Sequence, residues 1–392
     1  MAKINFTKGQ GGLNRRLPGE DHISSLVFYA TVTLTAFATA PIQEVNGLLD
    51  AEALGIVNTT GTATDILIMH YHVSEFYRIN PGAKLFIAIY AEPAEGSALT
   101  FAEIETIQNF SEGKIRNMGV WCKEAFTTAQ MVLIQGILTT LETNNKPISD
   151  VLFAADLKAV TTAALVTLRT GVVAPKVSGI LAQDGANVGA ALYVTAGYSV
   201  TALGAILGAV SKAKVNECIG WVEKFPMNAV ELDVPAFANG DLVKSLTQST
   251  IDAVDAKGYI FLLKYDSDGQ VYINDSHTAV VISNDYAYIE SNRTMDKAIR
   301  QVRSALLPQL NGPVLVDPQT GQLAPEYVTN IENLGDSALE QMERDGELSG
   351  FKTFVDPDQD VLSTSIVEVA VVNVPIGVSR RFNVSISYAT TV

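Results

Sequence analysis

Between residues 23 and 237 the chain alternates short apolar runs with longer stretches of helical spacing. That rhythm restricts the fold more than any other feature of its 392 residues. LFIAIYAEP (85–93) reads as a buried strand, and FAEIETIQNF (101–110) has apolar residues at 101, 104, 107 and 110, the spacing of one helix face. KIRNMGVWC then reads as a strand, and TTAQMVLIQGILTTLETNNKP as a helix stopped by Asn-Asn and Pro147. VLFAADL predicts a strand, AVTTAALVTLRTG a helix ending at Gly171, and KVSGILAQ a strand. The small-residue stretch 185–211 predicts one helix, and ECIGWVEKF a closing strand. Strands alternating with helices predict an α/β domain with a mainly parallel sheet.

From residue 241 the rhythm changes. LVKSLTQSTIDAVDAKG predicts a helix, and GYIFLLKYDSDGQVYIND a hairpin turning at Asp268-Gly269. NRTMDKAIRQVRSALLPQL is an amphipathic helix stopped at Pro308. APEYVTNIENLGDSALEQMERDG is a long acidic helix, or a helix pair around Gly335, and SGFKTFVD is a strand. Two more runs follow, split by Pro375-Ile376-Gly377. In the second, Phe382, Val384, Ile386 and Tyr388 alternate with Asn383, Ser385 and Ser387, the period of a strand with one buried face. The boundaries read as an N-terminal extended arm (1–22), an α/β domain (23–240), an α+β C-terminal domain (241–365) and a C-terminal strand arm (366–392). A length of 392 residues agrees with about two or three domains.

The charge balance excludes one class of partner. Asp and Glu number 42 against 27 Lys and Arg, a net charge of −15, and no basic block interrupts it. Such a chain repels phosphate backbones, so nucleic acid is not expected as a partner. Cys122 and Cys218 lie far apart in apolar contexts, which reads as two free thiols in a reducing compartment, with a single disulfide the other option. The lysines of MAKINFTKGQGG are not followed by an apolar core, so no signal peptide is expected. Stretch 185–211 has the length to span a bilayer but is rich in Gly, Ala, Ser and Thr, with few Leu, Ile or Phe, so the expectation is packing inside protein with no direct membrane insertion.

Chemistry-bearing motifs are absent. There is no P-loop, no G-x-S-x-G, no HExxH and no CxxC; GQGG at 9–12 is flanked by neither the strand nor the helix that a phosphate cradle needs. His70 and His72 would share a face of a strand, but no third ligand lies near them, so a packed pair is the reading. Asp356, Asp358 and Asp360 alternate like calcium ligands, yet the Gly and Glu of an EF-hand loop are missing, and a solvated loop is expected. Glu332, Asp336, Glu340 and Glu343 fall on one helix face if the helix runs through Gly335: a solvated face, or a contact to a basic partner. No catalytic residue, metal or cofactor is expected.

The order of elements from NRTMDKAIRQVRSALLPQLNGPV through APEYVTNIENLGDSALEQMERDG and SGFKTFVDPDQDVL to IVEVAVVNVPIGVSRRFNVSISYA resembles the tail sheath proteins of contractile phage tails, tailocins and related contractile injection systems. LGAILGAVSKAKVNECIGWVEKF upstream is similar to the Gly/Ala-rich helix and following strand of that family. The resemblance implies a non-enzymatic subunit of a helical homo-oligomer in a virion tail, or in the bacterial cytoplasm during assembly. It would polymerise around a tail tube protein, meet baseplate and tail terminator proteins, and contract to drive the tube through a cell envelope. It also implies that the chain ends donate strands to neighbours. Here that is Ile4 and Phe6 in the N-terminal arm and Phe382, Val384, Ile386 and Tyr388 in the C-terminal one, with the face of Glu332, Asp336, Glu340 and Glu343 towards the tube. Two other readings remain: an α/β enzyme with a dispersed active site at the carboxyl ends of its strands, and another strand-exchanging shell protein.

Overall fold

Strand β1 (Ser24–Ala30) is buried along its whole length. Its Leu26 and Phe28 join one apolar cluster and its Val27 and Tyr29 another, so side chains alternate between two packed faces. This is why the strands of this region read as continuous apolar runs: helices cover both sides. The computed structural model describes residues 19–388 except 33, 94–96, 228–231 and 267. Ile4 and Phe6 lie outside the described residues.

The following strands are β2 (Ile42–Val45), β3 (Leu85–Ala91), β4 (Asn117–Ala125), β5 (Asp150–Asp156), β6 (Val177–Ile180), β7 (Ala182–Asp184), β8 (Pro235–Phe237) and β9 (Tyr259–Ile260). Seven of them form one sheet in the order β2-β3-β1-β4-β5-β6-β9. Every pairing in it is parallel except the antiparallel edge β2–β3. β7 and β8 pair separately. Helices Thr64–Ile79 and Leu203–Lys212 pack on one face, Glu103–Phe110 and Thr128–Thr143 on the other. Thr127 caps the last of these in a capping box with Gln130. The mixed α/β fold with a mainly parallel sheet is as the alternation predicts.

Three segments of this unit depart from expectation. Residues 159–171 form only a 3-10 turn, Thr162–Ala164, with no α-helix. The stretch is rich in β-branched Val and Thr, which lose side-chain freedom in a helix. Neighbours also take its polar groups: Asn239 donates to the Val160 carbonyl, the Thr162 hydroxyl bonds Asp241, and the Leu168 amide donates to the Lys257 carbonyl. Stretch 185–211 is two helices, Val188–Ala196 and Leu203–Lys212, because Gly197 ends the first in the left-handed region at φ 80°. No helix among the described residues is long and apolar enough to cross a membrane. Residues 217–225 are successive turns, closed by bonds such as Trp221 N–H to the Cys218 carbonyl, where a strand was expected. The α-helix expected over 242–258 is confined to Gln248–Ala256, capped by the Thr247 hydroxyl.

The chain divides into two compact units, 1–296 and 297–392. In the first, the expected hairpin forms as β10 (Leu262–Lys264) and β11 (Val271–Ile273), paired antiparallel. In the second, the acidic segment is one continuous helix, Pro325–Arg344, running through Gly335. It lies against a two-stranded antiparallel sheet, β12 (Leu348–Phe354) and β13 (Ala370–Pro375). A Cβ on Gly335 would stand 2.4 Å from the Thr353 hydroxyl oxygen, so only glycine lets β12 approach this closely. Residues 376–388, part of which the alternation predicts as a strand, form none in this chain.

Candidate functional site

In an open α/β sheet the expected ligand site lies at the carboxyl ends of the strands, where successive connections leave to opposite faces. Here that point is the mouth between β1 and β4, and the protein fills it with its own charges. Asp65, at the start of helix Thr64–Ile79, is buried. One of its oxygens accepts from the Thr31 amide (3.1 Å), the Thr31 hydroxyl (2.8 Å) and Lys123 Nζ (2.8 Å); the other accepts from the Tyr198 hydroxyl (2.8 Å). Lys123 also reaches Glu92 at 3.0 Å. Burial raises the Asp65 pKa, but the bonds from Lys123, Thr31 and Tyr198 outweigh it and hold the carboxyl below its ordinary value. A charged, locked carboxylate and its partners suit a structural plug.

The histidine pair lies on a helix, not on one face of a strand, because residues 70 and 72 fall within Thr64–Ile79. Two positions apart on a helix point in different directions. His70 Nε2 meets Glu52 at 3.0 Å, while His72 is fully buried, stacked on Phe28, with Nδ1 accepting from the Gly204 amide. Burial lowers the His72 pKa to about 3. Cys122 and Cys218 are both free and buried, and burial raises both thiols. Among the described residues no group of three or more His, Cys, Asp or Glu is placed to hold a metal ion. Asp356, Asp358 and Asp360 sit in an exposed loop, where Asp356 accepts from the Asp358 amide and Asp360 caps the short helix Val361–Thr364.

The second unit concentrates unmet bonding capacity at one place. Helix Pro325–Arg344 places Asp336 and Glu332 against β12, where Asp336 accepts from the Thr353 amide (2.7 Å) and from Lys352 Nζ (2.8 Å). Glu332 accepts from the Val355 amide (3.1 Å). These carboxylates occupy the β12 edge, so half of the acidic face serves its own chain. Glu340 pairs with Arg344 at 2.5 Å, and Glu343 is exposed.

The opposite edge is β13. Because the Thr353 amide points away from β13, Thr353 and its partner Val371 form a non-hydrogen-bonded pair. The N–H and C=O of Val371, and of Asn373 two residues on, therefore point outward from the sheet. This edge is invisible in the sequence, which marks β13 as a strand but not which side of it stays open. Beyond it, Phe382, Val384 and Ile386 are 82, 77 and 91 % exposed and Tyr388 is fully exposed. Among the described residues β13 pairs only with β12, so one unit holds a strand edge with no described partner and a strand-patterned apolar segment that is exposed.

A family model described as DUF2586, N-terminal domain matches residues 1–277, and one described as DUF2586, C-terminal domain matches residues 285–392. No curated protein matches the chain. Among solved structures, a chain from the cryo-EM structure of the anti-feeding prophage (AFP) baseplate, 6-fold symmetrised, is similar over 100% of this chain and 99% of its own length. The TM-score is 0.61 at 12% identity, a likeness of fold.

Proposed function

The chain belongs to the DUF2586 family, and from that premise we propose that it is a structural, non-enzymatic subunit of a contractile injection apparatus, of the tail-sheath kind. It polymerises around a tail tube by lending its terminal segments to the sheets of neighbouring copies. The observation that carries this reading is the exposure of Phe382, Val384, Ile386 and Tyr388 in a chain whose β13 has no partner but β12 among the described residues. Strand addition satisfies both at once: backbone bonds supply affinity and the alternating side chains supply specificity. Each buried side chain contributes about 1.5–3 kcal/mol before the cost of ordering the segment. The surplus per joint is therefore modest, and stability comes from many joints in one lattice. The end-to-end likeness to a chain of the AFP baseplate supports placement in an assembly of this type. The mouth of the main sheet, closed by Asp65, Lys123 and Tyr198, favours it over an enzyme.

Contraction in this reading is a rearrangement between two lattice packings, with the exchanged strands keeping neighbours attached. Of the acidic face, Glu343 is exposed, and Glu340 is exposed while paired with Arg344; these two would meet a basic tube surface. The same AFP likeness favours a second reading, a subunit that closes rings at the baseplate and does not extend along the tail. Electron microscopy of the purified chain at high concentration separates the two. Hollow tubes support the sheath, closed single rings support the baseplate subunit, and persistent monomers contradict both.

A further inference from the structure

Beside the start of β13 lies a groove of about 790 Å³ whose lining includes the apolar residues Phe354 and Ile366 and the acidic residues Asp356, Asp358, Asp360 and Glu368. No cation is among its described lining residues. Phe354 and Ile366 are both more than half exposed. The backbone around the groove is fixed: Asp356 and Asp360 hold the loop from within, and Gln359 accepts from the Glu368 amide (2.7 Å) and donates to its carbonyl (3.0 Å).

In a chain with a net charge of −15, residues 369–392 contain no Asp or Glu and carry Arg380 and Arg381 side by side, followed by Phe382. Two cations and an aromatic ring match the groove's mixture of carboxylates and apolar surface. None of the described tail residues 371–388 lines the groove, and Phe382 is exposed.

We propose that this groove seats Arg380, Arg381 and Phe382 of a second copy of the chain. The proposal rests on the strand-addition reading and deepens it by fixing where the donated segment is anchored. It also fixes a direction. The basic pair stands at the head of the strand-patterned run, and the groove lies at the head of β13, so the donated strand runs parallel to β13. Desolvated charge pairs of this kind set register and partner choice as well as affinity.

The test is binding of a fluorescent peptide spanning residues 378–388 to the full chain, read by anisotropy. The expected result is saturable binding that weakens about tenfold or more in the Asp358→Lys/Glu368→Lys double variant, and likewise for a peptide carrying Arg380→Glu/Arg381→Glu on the unaltered chain. Both altered acids are exposed loop residues, and the peptide arm needs no altered protein. Combining the reversed peptide with the reversed groove restores binding. Binding that ignores both charge reversals overturns the groove while leaving strand addition standing. Rescue of the reversed groove by a peptide from the N-terminal arm carrying Arg15→Glu/Arg16→Glu, and not by the 378–388 peptide, also overturns it. No binding by the unaltered chain removes the strand-addition reading and the groove with it.

Discussion

Asp150 opens β5 with both carboxylate oxygens buried and neither in a hydrogen bond. Burial pushes its pKa from 3.8 up to about 7; Arg293 pulls it down, Asp296 pushes it up and Lys176 pulls it down again. A folded-state value above the unfolded one means that the stability contributed by Asp150 is present below pH 3.8 and lost as pH rises through about 7. Asp150→Asn removes that loss, so urea unfolding at about pH 8 should show the variant more stable by about 1–3 kcal/mol, the two chains converging near pH 4. Equal stability at pH 8 would contradict the burial account. Little of this was legible in the sequence, where Asp150 is one of 42 acids. His70 and His72 were visible as a pair, but only the helix they lie on shows that one meets Glu52 on the rim and the other is buried in the core.

Two helices that face each other across one side of the sheet owe their closeness to glycine. A Cβ on Gly204 would stand 2.0 Å from the His72 carbonyl oxygen, and one on Gly208 would stand 2.9 Å from that of Phe76. Gly204→Ala must push helix Leu203–Lys212 off helix Thr64–Ile79 and should cost about 3 kcal/mol or more. Gly136→Ala, in helix Thr128–Thr143 with nothing within 4 Å, should stabilise by about 0.5–1 kcal/mol. Chemical denaturation of the two variants checks the contrast, and a neutral Gly204→Ala would refute the tight crossing. At this scale the sequence was informative where strands are buried on both faces, since β3, β4 and β5 read directly as apolar runs. It misled at 159–171, where the apolar spacing looks helical but Asn239, Asp241 and Lys257, distant in sequence, recruit the polar groups. It was silent on the β13 edge, which depends on Asp336 and Glu332 occupying the other side of the sheet.

For the molecule as a whole, the charge excess, the empty motif list and the α/β alternation were legible, the elements at 159–171, 185–211 and 217–225 were not, and the alternation in the last residues posed the question that the fold sharpens. A segment patterned to bury one face lies exposed, and it follows in the chain a sheet whose β13 pairs only with β12 among the described residues. Deleting residues 378–392 should leave a folded monomer with an unchanged unfolding midpoint, because residues 379–388 are exposed and Val378 is only half-buried, and should abolish self-association in sedimentation. Loss of folding would mean that the segment belongs to its own chain's core. The central claim is that this segment becomes part of another copy, and cryo-electron microscopy of the assembled polymer tests it most directly. The account predicts density for residues 378–388 running beside β13 of a neighbouring subunit, continuous with that subunit's sheet. Density that folds this segment back onto its own chain, with the β13 edge empty or covered by something else, would contradict it.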